Sequence, residues 1–60
     1  MQVHFINSGH GLDMGVKEVE CQSLKLDHYD APYAIVSNPY SFGESCRAEF
    51  KGDKWVVDLD

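Results

Sequence analysis

The C-terminal segment carries the pattern that most restricts what this chain can fold into. From Ser45 to Asp60, apolar and polar side chains alternate on both sides of Gly52-Asp53, which is typical of a β-hairpin with a two-residue turn. Glycine as the first turn residue favours a type II′ turn. This register predicts an inner face with the pairs Phe50 and Trp55, Ala48 and Val57, and Cys46 and Leu59. The outer face then pairs Glu49 with Val56 and Arg47 with Asp58.

A second interpretation of the first arm is a short helix over residues 42–51. Ser41 and Glu44 have the spacing of a capping box, and Gly52 would end the helix. Its apolar stripe would consist of Phe42, Cys46 and Phe50. We favour the strand, because the hairpin register explains more residues at once.

Two other segments have strand patterns bounded by turn residues. Residues 1–6 alternate until Ile6, and the Gly-rich loop of residues 7–11 ends them. Residues 33–37 form a second strand that Pro32 opens after a turn. Asn38-Pro39 ends this strand, because proline cannot donate a hydrogen bond to a ladder.

The middle of the chain permits two readings. As a strand, it alternates through Val19, Cys21 and Ser23, but the phase then changes at Leu24 and Leu26, so that a bulge is needed. As a helix it would begin at Asp13 and contain an unfavourable Gly15. The helical stripe would be thin, with Ser23 at its centre: Leu12, Val16, Val19, Ser23 and Leu26.

The sequence therefore predicts one mostly β domain over residues 1–60. It is a small antiparallel sheet or open barrel of four or five short strands, ending in the C-terminal hairpin. The alternative is an α+β fold with one helix near residues 13–26 packed on the sheet. A chain of this size buries only about 60% of the surface that its unfolded form exposes. We therefore expect it to form a homo-oligomer or to bind a protein partner.

Charge and hydropathy exclude several kinds of partner. Ten acidic residues and five basic ones give a net charge of −5, and the cations are scattered apart from the pair beside the turn. Binding to duplex nucleic acid requires clustered Lys and Arg, so we expect neither duplex nucleic acid nor an anionic membrane as a partner. No apolar run approaches the roughly 20 residues of a transmembrane helix.

The first residues and the two cysteines indicate the compartment. The N-terminal segment lacks the basic leader and long apolar run of a secretory signal, so a cytoplasmic location is expected. There, Cys21 and Cys46 are expected to be reduced and to pack as small apolar residues. A disulfide between them is the alternative for a secreted chain.

No pattern in the chain predicts a metal site or catalysis. Structural zinc sites usually contain close pairs of ligands, and only His4 and His10 approach such spacing. Ser8 and His10 lie in a Gly-rich loop without a fixed catalytic geometry. We therefore expect no metal, no cofactor and no enzymatic activity. The possible ligands considered for a metal are His4, His10, Cys21, His28 and Cys46.

Aromatic residues in or beside turns are the candidate binding residues. They are Tyr29, Tyr33, Tyr40 and Phe42, and tyrosine in such segments is favoured at protein interfaces. The predicted function is a small acidic, non-enzymatic protein-interaction module that self-associates or docks on a larger protein. Its size and composition are typical of accessory proteins of phages and mobile elements. One alternative is a small β-fold that binds single-stranded nucleic acid through Tyr29, Tyr33 and Tyr40. Another is a metal-stabilised structural module.

Overall fold

In the computed structural model, which describes residues 1–60, the chain forms six β-strands and no α-helix. A 3₁₀ turn at Ser8–His10 joins the first two strands. The mostly β fold predicted from the sequence is confirmed, with six strands where four or five were expected. The strands are β1 (Gln2–Asn7), β2 (Leu12–Glu18), β3 (Cys21–Leu26), β4 (Pro32–Ser37), β5 (Ser45–Lys51) and β6 (Lys54–Asp58).

A single sheet contains all six strands in the order β2-β1-β6-β5-β4-β3. β2 and β3 lie at opposite edges of this order, although only Val19 and Glu20 separate them along the chain. The sheet must therefore curl until its edges meet. At the meeting point the Val19 amide donates to the Met1 carbonyl (2.8 Å), and the Ser37 amide donates to the Glu20 carbonyl (3.0 Å). β2 and β3 thus form one bent strand that bonds β1 before the bend and β4 after it.

One strand pair departs from the predicted antiparallel pattern. β1 runs parallel to β6, with Val3 beside Trp55 and Phe5 beside Val57, whereas the other four pairs are antiparallel. When β2 and β3 count as one bent strand, the ring has five strands that alternate in direction. An odd number of alternating strands leaves one parallel contact where the ring closes.

Both helical interpretations are wrong. Residues 12–18 and 21–26 are strands, and residues 45–51 belong to β5. The spacing of Ser41 and Glu44 that resembled a capping box forms a tight turn instead, because the Glu44 amide donates to the Ser41 carbonyl (3.1 Å).

Two β-bulges explain the broken alternation in the middle of the chain. One shift of register lies in the β1–β2 pair beside Gly15, whose φ of +83° suits a glycine. The other lies between Cys21 and Ser23 in β3. Beyond it, Leu24 pairs with Ala34, a core residue, so Leu24 and Leu26 lie on the inner face.

The C-terminal hairpin has the predicted register at its turn. Lys51 pairs with Lys54, Phe50 with Trp55, and Glu49 with Val56. Gly52 has a φ of +69°, and Asp53 is outside the positive-φ region, as a type II′ turn requires.

The predicted contact between Arg47 and Asp58 does not form. The Arg47 guanidinium lies 3.9 Å from the centroid of the Tyr33 ring. The Asp58 carboxylate instead accepts from the Ser8 amide (3.1 Å), which ties β6 to the 3₁₀ turn. Both partners, Tyr33 and Ser8, lie outside the β5–β6 hairpin, so hairpin pairing alone does not reveal them.

The core lies on the inner face of the curled sheet. Fully buried Ala34 and Ala48 face each other on neighbouring strands, and their small size allows the sheet to curl tightly there. Of the predicted inner residues of the hairpin, Ala48 and Val57 are buried, while Cys46, Trp55 and Leu59 pack against the core. The buried set is Val3, Phe5, Val19, Ala34, Val36, Ala48 and Val57.

Phe5 is the largest fully buried side chain, which makes it the test of this core. Phe5→Ala is expected to cost about 3–5 kcal/mol. That equals the roughly 3–5 kcal/mol of net stability that a core in so small a domain supplies, so this variant should be unfolded. Phe5→Leu keeps most of the volume and should lose less than about 1.5 kcal/mol. Urea unfolding followed by Trp55 fluorescence measures both. A stably folded Phe5→Ala variant would contradict the assignment of Phe5 to the core.

Candidate functional site

Large apolar side chains are exposed on the inner face at one end of the sheet. Leu24 is 65% exposed, Leu26 is 63% exposed and Phe50 is 44% exposed, while Trp55 is half-buried against Phe50 (ring centroids 5.1 Å apart). The register places them along one row across the sheet. Leu26 pairs with Pro32, the β4–β5 register puts Pro32 opposite Phe50, and Phe50 pairs with Trp55. We call these four residues, Leu24, Leu26, Phe50 and Trp55, the open-end surface.

The two ends of the curled sheet differ in how they are covered. At the far end, the loop of residues 38–44 places Tyr40 edge-on against Phe5, with ring centroids 5.6 Å apart. Lys17 Nζ lies 5.5 Å from the centre of the same Tyr40 ring. At the end with Leu24 and Leu26, the short turn of residues 27–31 supplies no comparable cover. The inner-face side chains of Leu24, Leu26 and Phe50 therefore stay exposed at this end.

The four aromatic residues singled out from the sequence lie at three different places. Tyr29 is 79% exposed on the β3–β4 turn, where its ring stacks on His28 (4.1 Å). Tyr40 and Phe42 belong to the loop at the other end of β4, about 17 Å away for a strand of six residues. Tyr33 lies in β4 between the two loops. The fold therefore does not bring Tyr29, Tyr33, Tyr40 and Phe42 together.

Tyr33 belongs to a polar cluster on the outer face. The Arg47 guanidinium covers its ring, and Arg47 Nη2 is 3.8 Å from Asp27 Oδ2 and 4.0 Å from Glu49 Oε2. Asp27 Oδ1 also accepts from the amides of Tyr29 (2.8 Å) and Ala31 (3.0 Å). This cluster holds the β3–β4 turn in place, which accounts for the position of Tyr33.

The two cysteines are free thiols on either side of Val36. Because one strand separates them, their Cα atoms are about 10 Å apart, and a disulfide requires less than about 7 Å. The folded chain therefore cannot form the disulfide considered for a secreted protein. Burial raises the pKa of the Cys46 thiol, which favours its neutral form.

A network of polar side chains crosses three strands on the outer face. His4 Nε2 lies 2.5 Å from Asp13 Oδ1, and Lys54 Nζ lies 3.3 Å from His4 Nδ1. Since an ammonium group can only donate, Nδ1 accepts from Lys54 and the Nε2–H donates to Asp13. The network therefore ties β2 and β6 to β1, which lies between them.

A shallow pocket of about 210 Å³ lies beside this network. None of its lining residues is a serine, threonine or cysteine, and both ring nitrogens of His4 are already bonded. The network holds the three strands together. The pocket is lined by Gln2, His4, Val16, Asp53, Lys54 and Trp55.

Nowhere in the structure do three side chains of His, Cys, Asp or Glu converge as metal ligands. Nor does any helix have the length and apolar character needed to cross a membrane. No family model, curated protein or solved structure matches the chain.

The open-end surface differs from the binding residues predicted from the sequence. In the sequence, Leu24 and Leu26 break the alternation of the middle segment. That irregularity was the available signal, since the bulge before Leu24 is what turns both leucines onto the inner face. Phe50 was expected to be buried against Trp55; the two rings do meet, edge to face, but Phe50 stays partly exposed.

The polar network generates a prediction about acid titration. The hydrogen bond from His4, aided by the Gly15 amide, lowers the pKa of Asp13 below its ordinary value of 3.8. Because the pKa is lowered in the folded state, this carboxylate stabilises the fold above the ordinary value and loses that effect as the pH falls through the folded-state pKa. His4→Phe should therefore raise the pKa of Asp13, as measured by carboxyl NMR titration.

Asp58 provides the internal control. Contacts with Ser8, together with the Asp60 amide, lower its pKa, and neither partner belongs to the His4 network. The pKa of Asp58 should therefore be the same in both proteins. An unchanged pKa at Asp13, or an equal rise at both carboxyls, would contradict the role of the His4 contact.

Proposed function

We propose that this protein is a non-enzymatic protein-interaction module that binds a partner through the open-end surface. The observation that carries the proposal is the exposure of Leu24 and Leu26 on the concave face of the sheet, beside Phe50. Single exposed apolar residues are common on protein surfaces. A cluster of large ones on a concave face is typical of an interaction site.

Aromatic and aliphatic anchors of this kind supply most of the binding energy at protein interfaces. Trp55 and Phe50 already pack on each other at the border of the core, so they form a preorganised platform beside the two leucines. A partner that covers the open-end surface would also extend the undersized core. This supports docking on another protein chain as the main role.

The charge of the protein fits such a role in a reducing compartment. A net charge of −5 keeps a small domain soluble despite its exposed leucines, and it favours a partner with basic regions around the contact. The separated thiols of Cys21 and Cys46 fit the cytoplasm, where cysteines remain reduced.

The other functions considered from the sequence gain no support from the geometry. Tyr33 is covered by Arg47 and Tyr40 packs on Phe5, so these rings do not form a stacking platform for single-stranded bases. The potential metal ligands do not converge either. We therefore propose no second function.

Differential capture tests the proposal. Immobilised wild-type protein and a Leu24→Lys/Leu26→Lys variant are compared for the proteins that they retain from a lysate of the source cells. The captured protein is then purified, and its affinity for each form is measured by calorimetry. Because the partner would bury both leucines, replacing these two apolar anchors with charges should weaken binding by at least about 100-fold.

Leu12→Lys/Val16→Lys is the matched control, because Leu12 (55%) and Val16 (59%) are nearly as exposed but lie on β2. This control should bind like the wild type, and thermal melts should show all three proteins folded. Equal binding by all three proteins, or loss only in the control, would overturn the proposed site.

A further inference from the structure

The geometry points to strand addition at β3: we propose that the partner binds as an extended segment with an acidic residue between two apolar ones. The acidic side chain would lie opposite Lys25, and the apolar ones would lie beside Leu24 and Leu26. This inference rests on the proposed function, because it names the chemistry of the partner that occupies the open-end surface.

β3 is an edge strand with unused hydrogen-bonding groups. It pairs only with β4, and the Asp27 amide donates to the Ala31 carbonyl (3.0 Å) where the two strands join. In an antiparallel ladder the bonded pairs alternate, so Lys25 bonds to β4, whereas the amides and carbonyls of Leu24 and Leu26 point away from it. An added strand would find two residues ready to pair.

The side chains of β3 define what that added strand must carry. Leu24 and Leu26 lie on the inner face, and Ser23 and Lys25 lie on the outer face. Residues opposite the leucines would therefore be apolar, and they would extend the row that continues through Pro32 and Phe50. Lys25 takes part in none of the ion pairs of the structure, so an acidic residue opposite it would complement an unpaired charge.

β3 is a better template than the other edge of the sheet. β2 also has a free side, but the bulge beside Gly15 interrupts it in the middle. Bulges of this kind prevent an edge from pairing with a further strand. In β3 the bulge lies near the start, and residues 23–26 are in regular register.

A second copy of the chain fits this edge less well. Two antiparallel β3 strands can use the unpaired amides and carbonyls of both Leu24 and Leu26 only when Leu24 of one copy faces Leu26 of the other. That arrangement places Lys25 directly opposite Lys25 of the second copy. If Leu24 faces its own copy, the bulged Gln22 lies opposite Leu26. If Leu26 faces its own copy, residues of the β3–β4 turn lie opposite Leu24. The charge of −5 on each chain adds to the repulsion. The structure therefore favours a different chain that carries an acidic residue at this position.

Peptide binding to the full chain tests the inference. The probe is the blocked heptapeptide Ser-Thr-Val-Glu-Val-Thr-Ser, and its partner probe has Lys in place of Glu. Titrations followed by amide NMR should show shifts at Leu24 and Leu26 but not along β2. Wild-type protein should bind the Glu peptide about two- to fivefold more tightly than the Lys peptide.

Substitutions at Lys25 make the test specific. Lys25→Glu should reverse the preference between the two peptides, and Lys25→Gln should abolish it; Lys25 is exposed, so both variants should fold. Equal affinity for both peptides in all three proteins, or shifts away from β3, would overturn the inference. A mass in sedimentation that doubles with concentration, and more readily when wild type and Lys25→Glu are mixed, would overturn it in favour of self-pairing.

The two proposals fail in different ways. If Leu24→Lys/Leu26→Lys abolishes binding of the captured protein while Lys25→Glu leaves it unchanged and neither peptide binds, the interaction surface stands and strand addition is overturned. If Leu24→Lys/Leu26→Lys leaves binding of the captured protein unchanged, the interaction surface itself is overturned.

Discussion

Adjacent residues at the bend of the chain, Val19 and Glu20, bond to opposite sides of the sheet: Val19 to Met1 at the start of β1, and Glu20 to Ser37 at the end of β4. In any strand inside a sheet, successive residues bond alternately to the two neighbouring strands. Here the two neighbours of the bent β2–β3 segment are β1 and β4. This alternation joins the edges of the sheet and encloses the core. Away from the bend, β2 pairs only with β1 and β3 pairs only with β4. Each of these two strands therefore keeps one side without a partner.

How far the sequence predicts the fold depends on the range of each contact. The C-terminal hairpin is local, and glycine at position 52 together with Phe50 and Trp55 is enough to set its register. The middle segment stayed ambiguous between strand and helix, because a bulge after Cys21 changes the phase of the pattern. The parallel contact between β1 and β6 joins the two ends of the chain, and no local pattern encodes it.

The candidate site shows the same limit. Tyrosines in turns are plausible binding residues from the sequence, but their positions along β4 keep them apart. Leu24 and Leu26 have ordinary core chemistry, and only the uneven covering of the two ends leaves them exposed. That unevenness comes from loop length, since the loop of residues 38–44 reaches back to Phe5 and the turn of residues 27–31 does not. Whether an inner-face residue is buried or exposed depends on tertiary packing, and the periodicity of the sequence does not show that packing.

The parallel pairing of β1 with β6 has a consequence for how the chain folds. Val3 and Phe5 lie on the first strand, whereas their partners Trp55 and Val57 lie on the sixth. The core thus depends on contacts between strands that are far apart in sequence, and such topologies fold slowly for their size. Because β6 is synthesised after the other five strands, this core cannot close until all of them have been made. Until then the first strand presents an unpaired apolar edge to the crowded surroundings of the nascent chain.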